Sequence, residues 1–141
     1  MKYRPVEDGY LVLLERGENI LESLRGFVKQ HHIQAGIISG VGAVTEATLG
    51  IYDSEQKEFV TKTFMDELEV GHLSANISYP PDSDEPFIHC HMVVSDRSLS
   101  AFTGHLVEAT VLLTLEVYIR TLKDKITRTQ DPKRNIGHWQ L

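Results

Sequence analysis

Apolar residues recur along this chain at two spacings, and the change of spacing marks where one kind of element gives way to another. Ile20, Leu21, Leu24, Phe27 and Val28 form one stripe at the helical period, with Glu22, Arg25 and Lys29 on the other side. Gly26 weakens this helix slightly without breaking it. The rest reads as strand. Gly9 to Glu15 is a short, mostly apolar run suited to a buried strand. Ala35 to Val44 joins β-branched residues with three glycines, Gly36, Gly40 and Gly42, which mark a bulge, a turn or close backbone approach. Ala47 to Tyr52 reads as another strand, followed by the polar connection Asp53 to Glu58. Thr61 to Met65 begins the next strand, and Leu68 to Ser78 continues as a long, partly alternating run. Ile88, Cys90 and Met92 alternate with polar positions in Pro86 to Val94. Leu99 to Phe102 is a short strand, Ala109 to Arg120 a central one, and Lys125 to Thr129 a last one.

Length and composition narrow the picture. At 141 residues the chain forms one domain, spanning 1–141, large enough to bury a core without disulfides or metal staples. Its single cysteine, Cys90, rules out an intrachain disulfide and suits a reducing compartment. Residues 1–8 lack an apolar run with a cleavage site, and no stretch reaches membrane-span length, so the expected location is the cytoplasm. The net charge of −6 opposes attraction to a phosphate backbone, which makes direct DNA binding by this chain an unfavourable reading. Gly40-Val41-Gly42 does not open an amphipathic helix and no lysine accompanies it, so a nucleotide-binding loop fails on context.

The chemistry is carried by histidines. Residues i and i+2 of a strand share a face, so His89 and His91 project together while Ile88, Cys90 and Met92 point away. If the strands around the turn Ser95 to Ser98 pair as a hairpin, His105 returns to their level. Three neutral nitrogen ligands with an open coordination position would then be in reach of one ion. Paired strand histidines also occur as ordinary hydrogen-bonded residues, and His-x-His alone is a weak signal. Imidazole suits borderline divalent ions, zinc foremost. His31 and His32 read as solvated residues capping the helix, and His72 as an ordinary polar side chain. Tyr79 to Pro86 is an acidic, proline-rich loop placed to shape the rim of the histidine site. Glu116, between Leu115 and Val117, either faces solvent by alternation or supports a ligating histidine from behind. Trp139 and Leu141 end a polar tail and are placed to dock onto the body or a neighbouring subunit.

Several segments in order resemble a known family. They are Ser39-Gly40-Val41-Gly42-Ala43-Val44, Ala47-Thr48-Leu49, Pro86 with His89 and His91, Gly104-His105-Leu106, Leu115-Glu116-Val117, and Arg128 with Asp131. Together they resemble the PPC domain, "plants and prokaryotes conserved", also called the AT-hook-associated domain. The resemblance covers nearly the whole chain. It implies an α+β fold in which a mainly antiparallel sheet of about seven strands packs with one main α-helix, assembled as a homotrimer. It also implies metal-ligand roles for His89, His91 and His105. One departure is Thr103-Gly104-His105 where the family often shows Gly-Gly-His; threonine resists the positive φ that glycine allows. No Arg-Gly-Arg-Pro hook occurs in the sequence.

Three functions follow as alternatives. The first is a stand-alone homotrimer with a three-histidine metal site and a small-ligand or DNA-associated regulatory role. The second is a metal-dependent enzyme, hydrolase- or lyase-like, in which the open coordination position activates water or a carbonyl and Glu116 or a loop carboxylate serves as base. The third is direct DNA binding, which the charge disfavours. One helix over about seven strands leaves apolar surface for subunit contacts, with the histidine site at or near the subunit boundary.

Overall fold

A computed structural model describes all 141 residues. The helix forms where the apolar stripe places it: α1 spans Ile20–Gln30 and buries Ile20, Leu21, Leu24, Phe27 and Val28. Asn19 caps its N-terminus by accepting from the Glu22 backbone N–H at 3.1 Å, which satisfies one donor left free by the first turn. The stripe packs against the sheet, where each large side chain removed from water contributes about 1.5–3 kcal/mol.

The strands in chain order are β1 (Lys2–Val6), β2 (Gly9–Glu15), β3 (Gly36–Asp53), β4 (Glu58–Phe64), β5 (Leu68–Ser78), β6 (Phe87–Ser95) and β7 (Ala101–Thr121), followed by a hairpin of β8 (Arg128–Asp131) and β9 (Ile136–Trp139). The first seven form one antiparallel sheet in the order β1-β2-β7-β6-β5-β3-β4. An additional β3–β7 pairing closes β7, β6, β5 and β3 into a ring around the apolar core, with α1 over it. This is the α+β architecture expected. No helix is long and apolar enough to cross a membrane.

Two long strands replace pairs of shorter ones in the sequence reading. Ala47 to Tyr52 continues β3 rather than starting anew, and Ala101 to Thr121 runs unbroken through His105. Register shifts between β3 and β7 let both strands bend without ending. Gly42 is needed at this crossing, since a Cβ there would lie 2.3 Å from the Thr114 carbonyl oxygen. Leu99 belongs to the turn, not to a strand: it has φ 62° and is 84% exposed. The Asp96 carboxylate holds that turn, accepting from the backbone N–H groups of Ser98 and Ser100. The last strand expected at Lys125 to Thr129 begins three residues later, as β8, while β1 and β9 were not anticipated. β1 is exposed along its length, so no alternation marks it.

Candidate metal centre

The β6–β7 hairpin brings the three histidines together. His89 and His91 share the outer face of β6, and His105 is the direct cross-strand partner of His91. The three rings form a nearly equilateral triangle, with centroids 5.2, 5.3 and 5.4 Å apart. One ring nitrogen from each lies within 4.8 Å of the others. Nitrogens around a tetrahedral zinc sit about 3.4 Å apart, so modest side-chain rotation separates this arrangement from a closed one. The inner face of β6 is all core: Ile88, Cys90, Met92 and Val94 are buried. Burial pushes the Cys90 thiol up to about 12, so its sulfur is neither aimed at the site nor ionised.

Electrostatics favour the ligand state. Burial, followed by His89, His91 and Arg128, lowers His105 to about 4, and burial with His91 and Arg128 lowers His89. These two rings are therefore neutral at physiological pH with lone pairs available, which is what a metal ion requires. Nδ1 of His105 is buried and has no hydrogen-bond partner. Such an orphan costs about 1–3 kcal/mol, and coordination by the ring, or a partner gained with it, would relieve the cost. By donor chemistry and by this orphaned atom, the residues fit a divalent metal. Phe59, from β4, packs beside His105 at 5.0 Å. Thr103 lies in extended strand opposite Val93, without positive φ, so its departure from Gly-Gly-His does not divert the chain. Gly104 is where space is short: a Cβ there would sit 2.8 Å from the Gly50 carbonyl oxygen.

Beside His89 opens a cleft of about 430 Å³, lined by Asn76, His89, Arg128, Gly137, His138 and Trp139. Asn76 is the cross-strand partner of His89. It accepts a hydrogen bond from the Trp139 indole N–H at 3.1 Å, which fastens the β8–β9 hairpin to the sheet. Arg128 is only 8% exposed. Its guanidinium stacks 3.9 Å over the Phe87 ring and donates to the Gly137 carbonyl and to Ser78 Oγ.

Glu116 follows the first of its two readings: strand alternation turns it outward, exposed on the far half of β7 opposite Leu13 and Val41, and it does not support the histidines. Two placements differ from expectation. The loop from Tyr79 to Pro86 contributes nothing to the cleft lining, since Tyr79 turns inward to donate to the Ile33 carbonyl and Lys125 faces Ser83 and Asp84. His31 is not solvated but packs among Tyr3, Tyr10 and Phe27. His32 is exposed, as expected, and His72 is exposed on β5. Trp139 docks on its own chain. Asn76 and Arg128 escaped the sequence reading as site residues; the one available signal was an arginine inside an otherwise strand-like β8 segment.

The Plants and Prokaryotes Conserved (PCC) domain profile matches residues 1–123. No curated protein matches the chain. Among solved structures, a Bacteroides thetaiotaomicron protein provisionally named as DNA-binding is similar at 28% identity and TM-score 0.93, over 99% of this chain and 96% of that one. A protein of Archaeoglobus fulgidus described as metal-containing is similar at 31% identity and TM-score 0.86, over 100% of both chains. A plant- and prokaryote-conserved (PPC) protein of Pyrococcus horikoshii is similar at 26% identity and TM-score 0.87, over 99% of this chain and 95% of that one.

Proposed function

The chain belongs to the Plants and Prokaryotes Conserved (PCC) domain family, and we propose from that premise that it is a metal-binding member whose ion, zinc, is held by His89, His91 and His105 with one coordination position left for a small ligand. The observation that carries this reading is the convergence of three imidazoles from the β6–β7 hairpin, with ligand atoms within 4.8 Å and His105 Nδ1 buried without a partner. The metal-containing relative from Archaeoglobus fulgidus supports it. Zinc bound there would polarise a ligand oxygen or acidify a bound water. Elemental analysis of zinc-loaded protein tests the site. One zinc per chain is expected in the wild type and less than about a tenth of that in His89→Ala/His91→Ala, because a single imidazole leaves little of a three-ligand affinity. Stoichiometric zinc in the double variant overturns the assignment.

The protein works as a cytoplasmic homotrimer with a regulatory or ligand-sensing role, and any DNA association is indirect. Support for assembly comes from an apolar groove of about 630 Å³ lined in part by Tyr3, Leu11, Leu13, Val41 and Val117. Leu11 and Val41 are 40% and 49% exposed there, more than a monomer's surface strands need show. The net charge of −6 argues against direct contact with the duplex.

The enzyme alternative is favoured by the cleft beside His89, which gives a substrate access. Its base is not Glu116, and none of the cleft's lining residues is a carboxylate. A metal held by the three histidines would supply acidity to an attacking water there, with no cleft carboxylate to assist it.

A further inference from the structure

Arg128 is a buried cation with no anion. It takes part in none of the chain's ion pairs, the nearby Asp131 being committed to Arg134. Its partners inside the protein are a hydroxyl and a carbonyl, both neutral, and together they occupy Nη1 and Nη2. A guanidinium so far removed from water is costly unless a counter-charge arrives. Arg128 and His89 line the same cleft, so the guanidinium charge borders the histidine side. No acidic residue lines the cleft to answer it.

We propose that the cleft between the histidine triangle and the β8–β9 hairpin is a binding site for a small carboxylate, whose charge is matched by Arg128 and whose apolar end rests on Trp139. A divalent ion held by the three imidazoles would add positive charge on the His89 side of the cleft, which favours an anionic ligand there. Trp139 supplies aromatic surface on the hairpin side, which favours an organic carboxylate over inorganic phosphate. Asn76, with its carbonyl already engaged by the indole, has amide donors free to orient the ligand. The Arg128 half of this site exists without metal. The rest depends on the metal reading given above.

The only tryptophan of the chain lines this cleft, so its fluorescence reports on the site alone. Zinc-loaded protein of measured stoichiometry is titrated with butyrate and separately with inorganic phosphate at constant ionic strength. The expected result is a saturable change in Trp139 emission, tighter for butyrate than for phosphate. Arg128→Lys keeps a positive charge but loses the planar fork, and should weaken butyrate by about ten-fold or more while retaining zinc. The same titration on metal-free protein separates the two claims: weaker binding that still depends on Arg128 supports the anion site even if zinc binding fails. Absence of saturation in wild-type protein carrying a full zinc complement overturns the proposal. So does equal affinity in Arg128→Lys, or phosphate binding that matches or exceeds butyrate. If Arg128→Lys does not fold, the wild-type titrations still decide, with the indole N–H resonance of Trp139 required to shift along the same curve as the emission.

Discussion

The two halves of β7 share one backbone and differ in what they face. The first half carries His105 against His91 and Gly50, on the side of the sheet where His89 and Arg128 line a cleft. The second half pairs with β2 and β3 and shows an apolar groove with Glu116 at its edge. Each half uses the same alternation, with Leu106, Leu115, Val117 and Ile119 turned into the core. The difference lies wholly in the outward residues, which place a histidine of the triangle at one end and line an apolar groove at the other.

This division is broken if the two ends cannot be disabled separately. The largest effect is expected from Val41→Arg, which places a charge in the apolar groove at a half-exposed position of β3. Light scattering should show the mass falling from three chains to one, with zinc per chain unchanged; loss of zinc together with mass would mean that the ends act as one unit.

A smaller effect should follow from acid on metal-free protein. His105 titrates at about 4 in the folded state, against about 6.5 for an unfolded histidine. Between those values the unfolded chain binds more protons, so stability is complete above about pH 6.5 and falls as the pH drops towards 4. Urea midpoints should decrease across that window, and His105→Asn should flatten the decrease. A midpoint independent of pH would place the histidine end in water, like the exposed groove.

The smallest effect belongs to Glu116→Gln. Because the carboxylate is exposed and far along β7 from the histidines, zinc stoichiometry should not change and stability should move by less than about 0.5 kcal/mol. A drop in zinc content would restore the supporting role that its position denies it.

What the sequence revealed depended on how local each feature is. The helix stripe and the two faces of β6 were legible because each is set by neighbours within one or two turns or residues. The histidine triangle was legible for the same reason, His91 and His105 being joined by a short turn. Arg128, Asn76 and Trp139 were not, since their meeting depends on a hairpin folding back across the sheet and no spacing rule encodes that. The unbroken course of β3 and β7 was hidden where the apolar pattern lapses, at Thr45-Glu46 and at Thr103-Gly104-His105, because the strands run on through nearby register shifts instead of ending. Glu116 left two readings open because its neighbours in sequence are apolar, and alternation decided between them by turning it to solvent.

The pairing of β2 with β7 also sets an order of events during synthesis. Gly9 to Glu15 must meet Thr114 to Arg120, whereas His91 needs only His105. At ribosomal speeds the intervening chain takes on the order of 5–20 s to appear, long compared with the microseconds a hairpin needs. The histidine hairpin is therefore complete before β2 meets β7, and Val12 and Leu14, buried in the folded chain, stay uncovered on their β7 side until then.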